Sequence, residues 1–160
     1  LGMKGSGKDE NKRAPMYWSK DGNAEGMCKG PADMDDFRMK FDSLEEQQED
    51  PDSIYNYVKQ VIRVRNQNPV IARGTTAYLE QYSGEQCFAL TRSDENSSLL
   101  MLGNTSAETA TVDLSGLTIG KTAAEELVLL GELYTGEETA ERTGAEITLP
   151  AWSILILGEE

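Results

Sequence analysis

The sequence predicts a mainly β protein with one helix: an antiparallel β-sandwich preceded by a long loop and that helix. Two observations carry this. Between residues 54 and 62 apolar side chains recur at the spacing of one helical face. After Gly74 the pattern shortens to strand period, and turn-forming residues return roughly every ten residues, as in sandwiches.

Residues 1–50 read as one long polar loop. Gly2, Gly5, Gly7, Gly22, Gly26, Gly30, Pro15 and Pro31 interrupt every candidate element. Residues 50–68 read as the helix. Asp50 is the expected N-cap and Pro51 suits the first helical position, where its missing N–H is no loss. Ile54, Tyr57, Val58, Val61 and Ile62 form one apolar stripe, Lys59, Arg63 and Arg65 lie off it, and Asn68-Pro69 ends it. Expected strands are residues 76–81, 86–91, 98–104, 109–114, 126–130, 146–149 and 152–157. Ser83-Gly84-Glu85 and Asp94-Glu95-Asn96 are hairpin-like connections, and residues 131–144 read as a loop. Leu99 to Leu102 and Ile154 to Leu157 are continuous apolar runs, which places those strands centrally.

The chain has 160 residues, 38% of them hydrophobic, and a formal charge of -13 from 15 basic and 28 acidic side chains. Phosphate neutralisation needs clustered Lys and Arg, so neither nucleic acid nor an anionic membrane is an expected partner. No apolar run reaches the ~20 residues of a membrane span. There is no histidine, which removes most zinc sites and every Ser-His or Cys-His nucleophile. The two cysteines, Cys28 and Cys87, read as unpaired thiols, with a disulfide between them as the alternative.

Several motifs have plain readings. Gly2, Gly7 and Lys8 approach a phosphate-binding loop, but Asp9 stands where a magnesium-binding hydroxyl belongs. Asp33, Asp35 and Asp36 lack the Gly turn and downstream Glu of a calcium loop and read as a solvated acidic face. Asn96-Ser97-Ser98 and Asn104-Thr105-Ser106 match the glycosylation tripeptide, a pattern common by chance.

The informative stretch runs from Asp9 to Trp18. Arg13 offers a planar donor fork, Asp9 offers acceptors, and Tyr17 and Trp18 offer stacking faces, which together suit a sugar's hydroxyls and ring. From spacing alone, packing of the two aromatics onto the protein itself is the simpler reading.

Asp9-Glu10-Asn11-Lys12-Arg13-Ala14-Pro15-Met16-Tyr17-Trp18 resembles the segment after the eighth barrel strand in α-amylase-family glycoside hydrolases of the neopullulanase, oligo-glucosidase and α-amylase type. Leu1-Gly2-Met3 is similar to the end of that strand. Residues 52–69, through Ile62-Arg63-Val64-Arg65 to Pro69, resemble the last barrel helix. Met101-Leu102-Gly103-Asn104 and Leu149-Pro150-Ala151-Trp152-Ser153 resemble the C-terminal domain. Ala14-Pro15-Met16-Tyr17-Trp18 departs from the Thr-Pro-Met-Gln-Trp core of oligo-glucosidases, which leaves substrate choice open.

The resemblance implies that residues 1–70 are the C-terminal end of a (β/α)8 catalytic barrel and residues 71–160 a C-terminal β-sandwich domain. It implies that the intact enzyme hydrolyses α-glucosidic bonds in starch-like glucans with retention, using carboxylates that precede Leu1. This chain alone is then expected to be inactive. Barrel active sites sit at the C-terminal ends of the strands, so residues 4–49 would border the glucan cleft. Asp9, Arg13 and Trp18 are the implied substrate-binding residues. The expected partners are an α-glucan oligosaccharide and the N-terminal barrel of the same protein. No cofactor or metal is expected in this chain, and calcium is left open for the intact enzyme. A soluble bacterial protein is expected, either extracellular or cytoplasmic. Two alternatives remain: a carbohydrate-binding module with Tyr78, Tyr82 and Tyr134 as candidate aromatics, or a purely structural sandwich.

Overall fold

The computed structural model describes residues 7–21, 25–35 and 40–159. Leu1, Gly2, Met3, Gly5, Gly22 and Asp36 of the sequence reading lie outside the described residues. The chain divides into two compact units, Leu1–Asn56 and Tyr57–Glu160. This division falls within a helix. The expected boundary after residue 70 concerns an intact barrel.

In the first unit, residues 1–50 do not form one loop. Two short helices, α1 (Asp9–Lys12) and α2 (Leu44–Glu49), interrupt it. A capping box closes α2: Glu46 N–H donates to Ser43 Oγ at 3.3 Å, and Ser43 N–H donates back to Glu46 Oε2 at 3.0 Å. That Ser-x-x-Glu signature was present in the sequence but was hidden among glycines and acids. The third helix, α3 (Ile54–Gln67), begins later than expected because Asp50 already ends α2. Ser53 takes the capping role, its Oγ accepting the Asn56 N–H at 3.2 Å. Asn56 Nδ2 in turn donates to the carbonyls of Gln47 at 3.0 Å and Asp50 at 2.8 Å, satisfying acceptors left over at the end of α2.

Asn68 and Pro69 end α3 as expected, and a single further turn, α4 (Val70–Arg73), follows. Four helices are therefore present among the described residues, in place of the one expected.

Ten strands follow in chain order: β1 (Thr75–Tyr78), β2 (Cys87–Ser93), β3 (Ser98–Asn104), β4 (Ala110–Asp113), β5 (Thr118–Ile119), β6 (Thr122–Ala123), β7 (Val128–Leu133), β8 (Glu141–Thr143), β9 (Glu146–Leu149) and β10 (Ser153–Gly158). Five form one antiparallel sheet in the order β1-β2-β3-β10-β7. Three form a second in the order β4-β9-β8, and β5-β6 is a separate ribbon. The apolar runs occupy β3 and β10, two of the inner strands of the large sheet.

Pleating explains those runs. Leu100, Leu102, Leu155 and Leu157 point between the sheets, where they meet Val112, Leu114, Ile147 and Leu149. Leu99 and Ile156 point to the opposite face and meet Val64 of α3 and Val70 of α4. Both faces of these strands are covered, so neither alternates with polar residues.

Three strand expectations change. The 131–144 loop is shorter than expected, because β7 continues to Leu133 and β8 pairs with β9. Strand β8 carries no apolar alternation. It is held by a turn in which Gly144 takes a φ of +63° and by Arg142, which donates to the carbonyls of Leu127 and Ala124. The β5-β6 ribbon is new. Strand β1 is shorter than expected, because residues 80–82 tighten into a 3₁₀ turn.

The expected single stripe on α3 splits in two. Tyr57, Val61 and Val64 pack on the large sheet. Ile54, Val58 and Ile62 form a second row, 74%, 46% and 52% exposed. One residue advances about 100° around a helix, so a five-residue apolar set covers two faces, and only one of them is covered among the described residues.

Candidate functional site

The sequence-derived site residues lie in the first unit. Asp9 opens α1 and Arg13 follows it one turn later. Their side chains meet, Arg13 Nη2 lying 3.1 Å from Asp9 Oδ2, and both are well exposed. An exposed i,i+4 pair adds little to stability, roughly 0.3–0.5 kcal/mol. It does orient the guanidinium, whose remaining N–H groups have no other partner among the described residues.

Behind this pair lies a fixed support that the sequence reading missed. Asn11 is buried, donates from Nδ2 to Asp35 Oδ2 at 2.8 Å and accepts the Asp35 N–H at 3.0 Å. Lys8 Nζ donates to the other oxygen of Asp35 at 2.6 Å. That hydrogen bond, with the Asp35 charge, raises the Lys8 pKa. Asp35 therefore ties α1 to the turn at residues 31–35 and is not part of a merely solvated acidic face. Its signal in sequence was slight, because the partners are 24 and 27 residues away.

Tyr17 and Trp18 are held by their backbones. The N–H groups of Leu44 and Glu45, unpaired within α2, donate to the carbonyls of Tyr17 at 2.9 Å and Trp18 at 3.1 Å. The side chains then diverge. Tyr17 packs edge-on against Phe41, with centroids 6.3 Å apart and planes at 81°, and its hydroxyl donates to the Lys20 carbonyl. Trp18 remains 46% exposed beside an exposed Met16. Of the two aromatics, Tyr17 follows the packing reading, and Trp18 presents a free ring.

Cys28 and Cys87 are free thiols, the first exposed and the second buried, and burial raises the Cys87 pKa. Asn104 is 3% exposed, and its amide bonds Ser106, Glu108, Leu149 and Pro150, so the second glycosylation tripeptide is a structural corner of the sandwich. Of the three tyrosines considered for a binding face, Tyr78 is exposed, whereas Tyr82 and Tyr134 pack partly on the core. Burial pushes the Tyr134 pKa up to about 12, and its hydroxyl is occupied by Glu132 and the Ala140 N–H. Among the described residues no helix is long and apolar enough to cross a membrane.

Solved structures share this fold. Eubacterium rectale Amy13B is 36% identical, with a TM-score of 0.87 over 99% of this chain and 29% of that one. The chain has the fold of the C-terminal part of an α-amylase-family enzyme. Two more distant α-amylase-family structures agree in fold. The α-amylase from H. orenii is 22% identical at a TM-score of 0.70, over 100% of this chain and 30% of that one. The trehalulose synthase MutB from Pseudomonas mesoacidophila MX-45 is 24% identical at a TM-score of 0.65, over 89% of this chain and 24% of that one. The chain thus spans between 24% and 30% of the length of these three α-amylase-family structures. No family model matches the chain, and no curated protein matches it.

Proposed function

We propose that this chain is the C-terminal piece of a retaining α-glucan hydrolase, and that it lines the substrate cleft without supplying the catalytic carboxylates. The observation that carries the reading is the 36% identity to Amy13B across 99% of the chain. The exposed row Ile54, Val58 and Ile62 supports it, because an apolar helix face left uncovered among the described residues suits the outer wall of a barrel. On this reading residues 1–70 complete the barrel and residues 71–160 form the appended domain. Retention needs two carboxyl groups about 5–5.5 Å apart, one nucleophile and one acid/base. These would come from the preceding barrel. The 160-residue chain alone should therefore not turn over starch or a chromogenic maltoside.

Asp9, Arg13 and Trp18 are then sugar contacts: Arg13 donates to hydroxyls on the non-reducing side of the cleaved bond, Asp9 orients it, and Trp18 offers its ring. Loss of one charged hydrogen bond costs about 1.5–3 kcal/mol, or about tenfold to over a hundredfold in kcat/KM. In the barrel-bearing enzyme, Arg13→Ala should slow cleavage of maltotetraose more than that of a short substrate leaving the subsite empty. An unchanged ratio with a lowered melting temperature would make Arg13 a loop brace and remove it from the site.

A further inference from the structure

Tyr82 has no place in the site proposed above, yet it stands in a concavity of its own. A cleft of about 500 Å³ lies between residues 81–87 and β4. That is within the roughly 300–1,000 Å³ of small-molecule sites. The Tyr82 ring rests partly on the sandwich core, which holds it in place. Its hydroxyl, the carboxamides of Gln81 and Gln86 and the carboxylate of Glu85 have no hydrogen-bond partner among the described residues.

The loop that presents them is braced. Ser83 Oγ donates to the Leu79 carbonyl at 2.9 Å and accepts the Ala89 N–H at 2.9 Å. The Gly84 N–H donates to the Cys87 carbonyl at 2.9 Å, and the Gln86 carbonyl accepts the Thr105 N–H at 2.7 Å. On the other wall, Asp113 is ordered by accepting from the Ser115 N–H at 2.9 Å and hydroxyl at 2.6 Å. Ordering the groups in advance lowers the entropy cost of binding.

The chemistry of the lining selects a ligand class. Lys and Arg are absent from it, while Glu85 and Asp113 make it negative, so phosphates and acidic glycans are repelled. Each carboxamide both donates and accepts, as each sugar hydroxyl does. A partly exposed aromatic ring adds a face for an apolar sugar ring. We infer that this cleft is a carbohydrate-binding site of the sandwich unit for a neutral oligosaccharide, with Tyr82 as the platform and Gln81 and Gln86 as the amide partners. Choosing an α-glucan as the first probe rests on the function proposed above.

The test is an NMR titration of the isotopically labelled 160-residue chain with maltoheptaose, cellohexaose and xylohexaose. The expected result is saturable shifts at the side-chain amides of Gln81 and Gln86 and along β4. Affinity should fall by roughly tenfold or more in Gln81→Ala/Gln86→Ala, which removes two neutral hydrogen-bond partners from exposed positions. Gly84→Trp gives a second check: a Cβ at Gly84 meets no atom within 4 Å, so the fold should tolerate a ring that crowds the cleft and weakens binding. Shifts in the cleft with cellohexaose or xylohexaose but not maltoheptaose would keep the site and count against the α-glucan reading. Maltoheptaose shifts confined to Trp18 would support that reading and overturn the cleft. Silence at the cleft with all three sugars would also overturn it.

Discussion

The two units are held together by different forces. Residues 57–159 carry a two-faced sheet whose inner strands bury leucine and isoleucine on both sides. Among the described residues of the first unit no hydrophobic side chain is buried; the buried side chains there are the polar Asn11, Ser43 and Ser53, each hydrogen-bonded. Apolar burial is non-directional and adds with area, so it tolerates small shifts. A hydrogen bond is directional and contributes only about 0.5–1.5 kcal/mol net, so the first unit gains defined geometry at modest stability. This contrast suits a first unit that presents Arg13 and Trp18 and a second unit that carries most of the apolar burial.

The largest expected effect tests the sandwich. Leu100 is fully buried between the sheets, and Leu100→Ala should cost about 2–5 kcal/mol in a chemical denaturation experiment. The midpoint read from the Trp18 indole resonance should be the same in the wild type and the variant, because Trp18 and Leu100 lie in different units. A Trp18 midpoint that fell together with that of the sandwich would mean that the two units do not unfold independently.

A smaller effect tests how closely α3 packs on the sheet. A Cβ at Gly131 would lie 2.6 Å from Val64 Cγ1, so Gly131→Ala forces helix and strand apart. The expected loss is about 1–3 kcal/mol, with recovery on adding Val64→Ala. Equal stability of the wild type and the single variant would mean that the helix rides loosely.

The smallest effect belongs to the first unit. Ser43→Ala removes the cap of α2 and should cost about 1 kcal/mol locally, read as faster amide exchange at Glu46, whose N–H donates to the Ser43 hydroxyl. A pH dependence sharpens this. The backbone N–H and side chain of Ser43, with a smaller contribution from Lys20, hold the Glu46 carboxyl below its usual value of 4.5. A depressed folded pKa gives stability that is present above that value and lost as pH falls through the folded pKa. The protection of the Glu46 amide, relative to its intrinsic exchange rate, should therefore fall as pH drops below about 4.5 in the wild type, and fall somewhat less in Ser43→Ala, which loses the hydroxyl but keeps the larger backbone N–H contribution. No loss of protection in acid in either protein would place the pH sensitivity away from Glu46.

How much of this was legible depended on the range of each interaction. The central strands β3 and β10 could be read because an apolar run of four residues is a local signal of burial on two faces. The end of α3 could be read because Pro69 acts on its immediate neighbour. Its start was misread because Asp50 and Pro51 make a good local start, whereas Ser53 and Asn56 cap α3 while closing α2. Strand β8 was invisible because Glu141, Arg142 and Thr143 are exposed, and their pairing depends on β9 and on carbonyls 15 to 18 residues away.

The sequence by itself determined the class of fold, the α-amylase-family resemblance, and the presence of Asp9, Arg13 and Trp18 in one polar stretch. These depend on period, turn chemistry and adjacent residues, all of which a linear chain displays. Only the tertiary structure decided that Tyr17 packs on Phe41 while Trp18 stays open, that Asp35 anchors α1, and that the α3 stripe is half covered. It also brought Tyr82, Gln81 and Gln86 opposite Thr111 and Asp113 in one cleft. The physical reason is that side-chain partners distant in sequence are chosen by how the elements pack, and no local pattern encodes that choice.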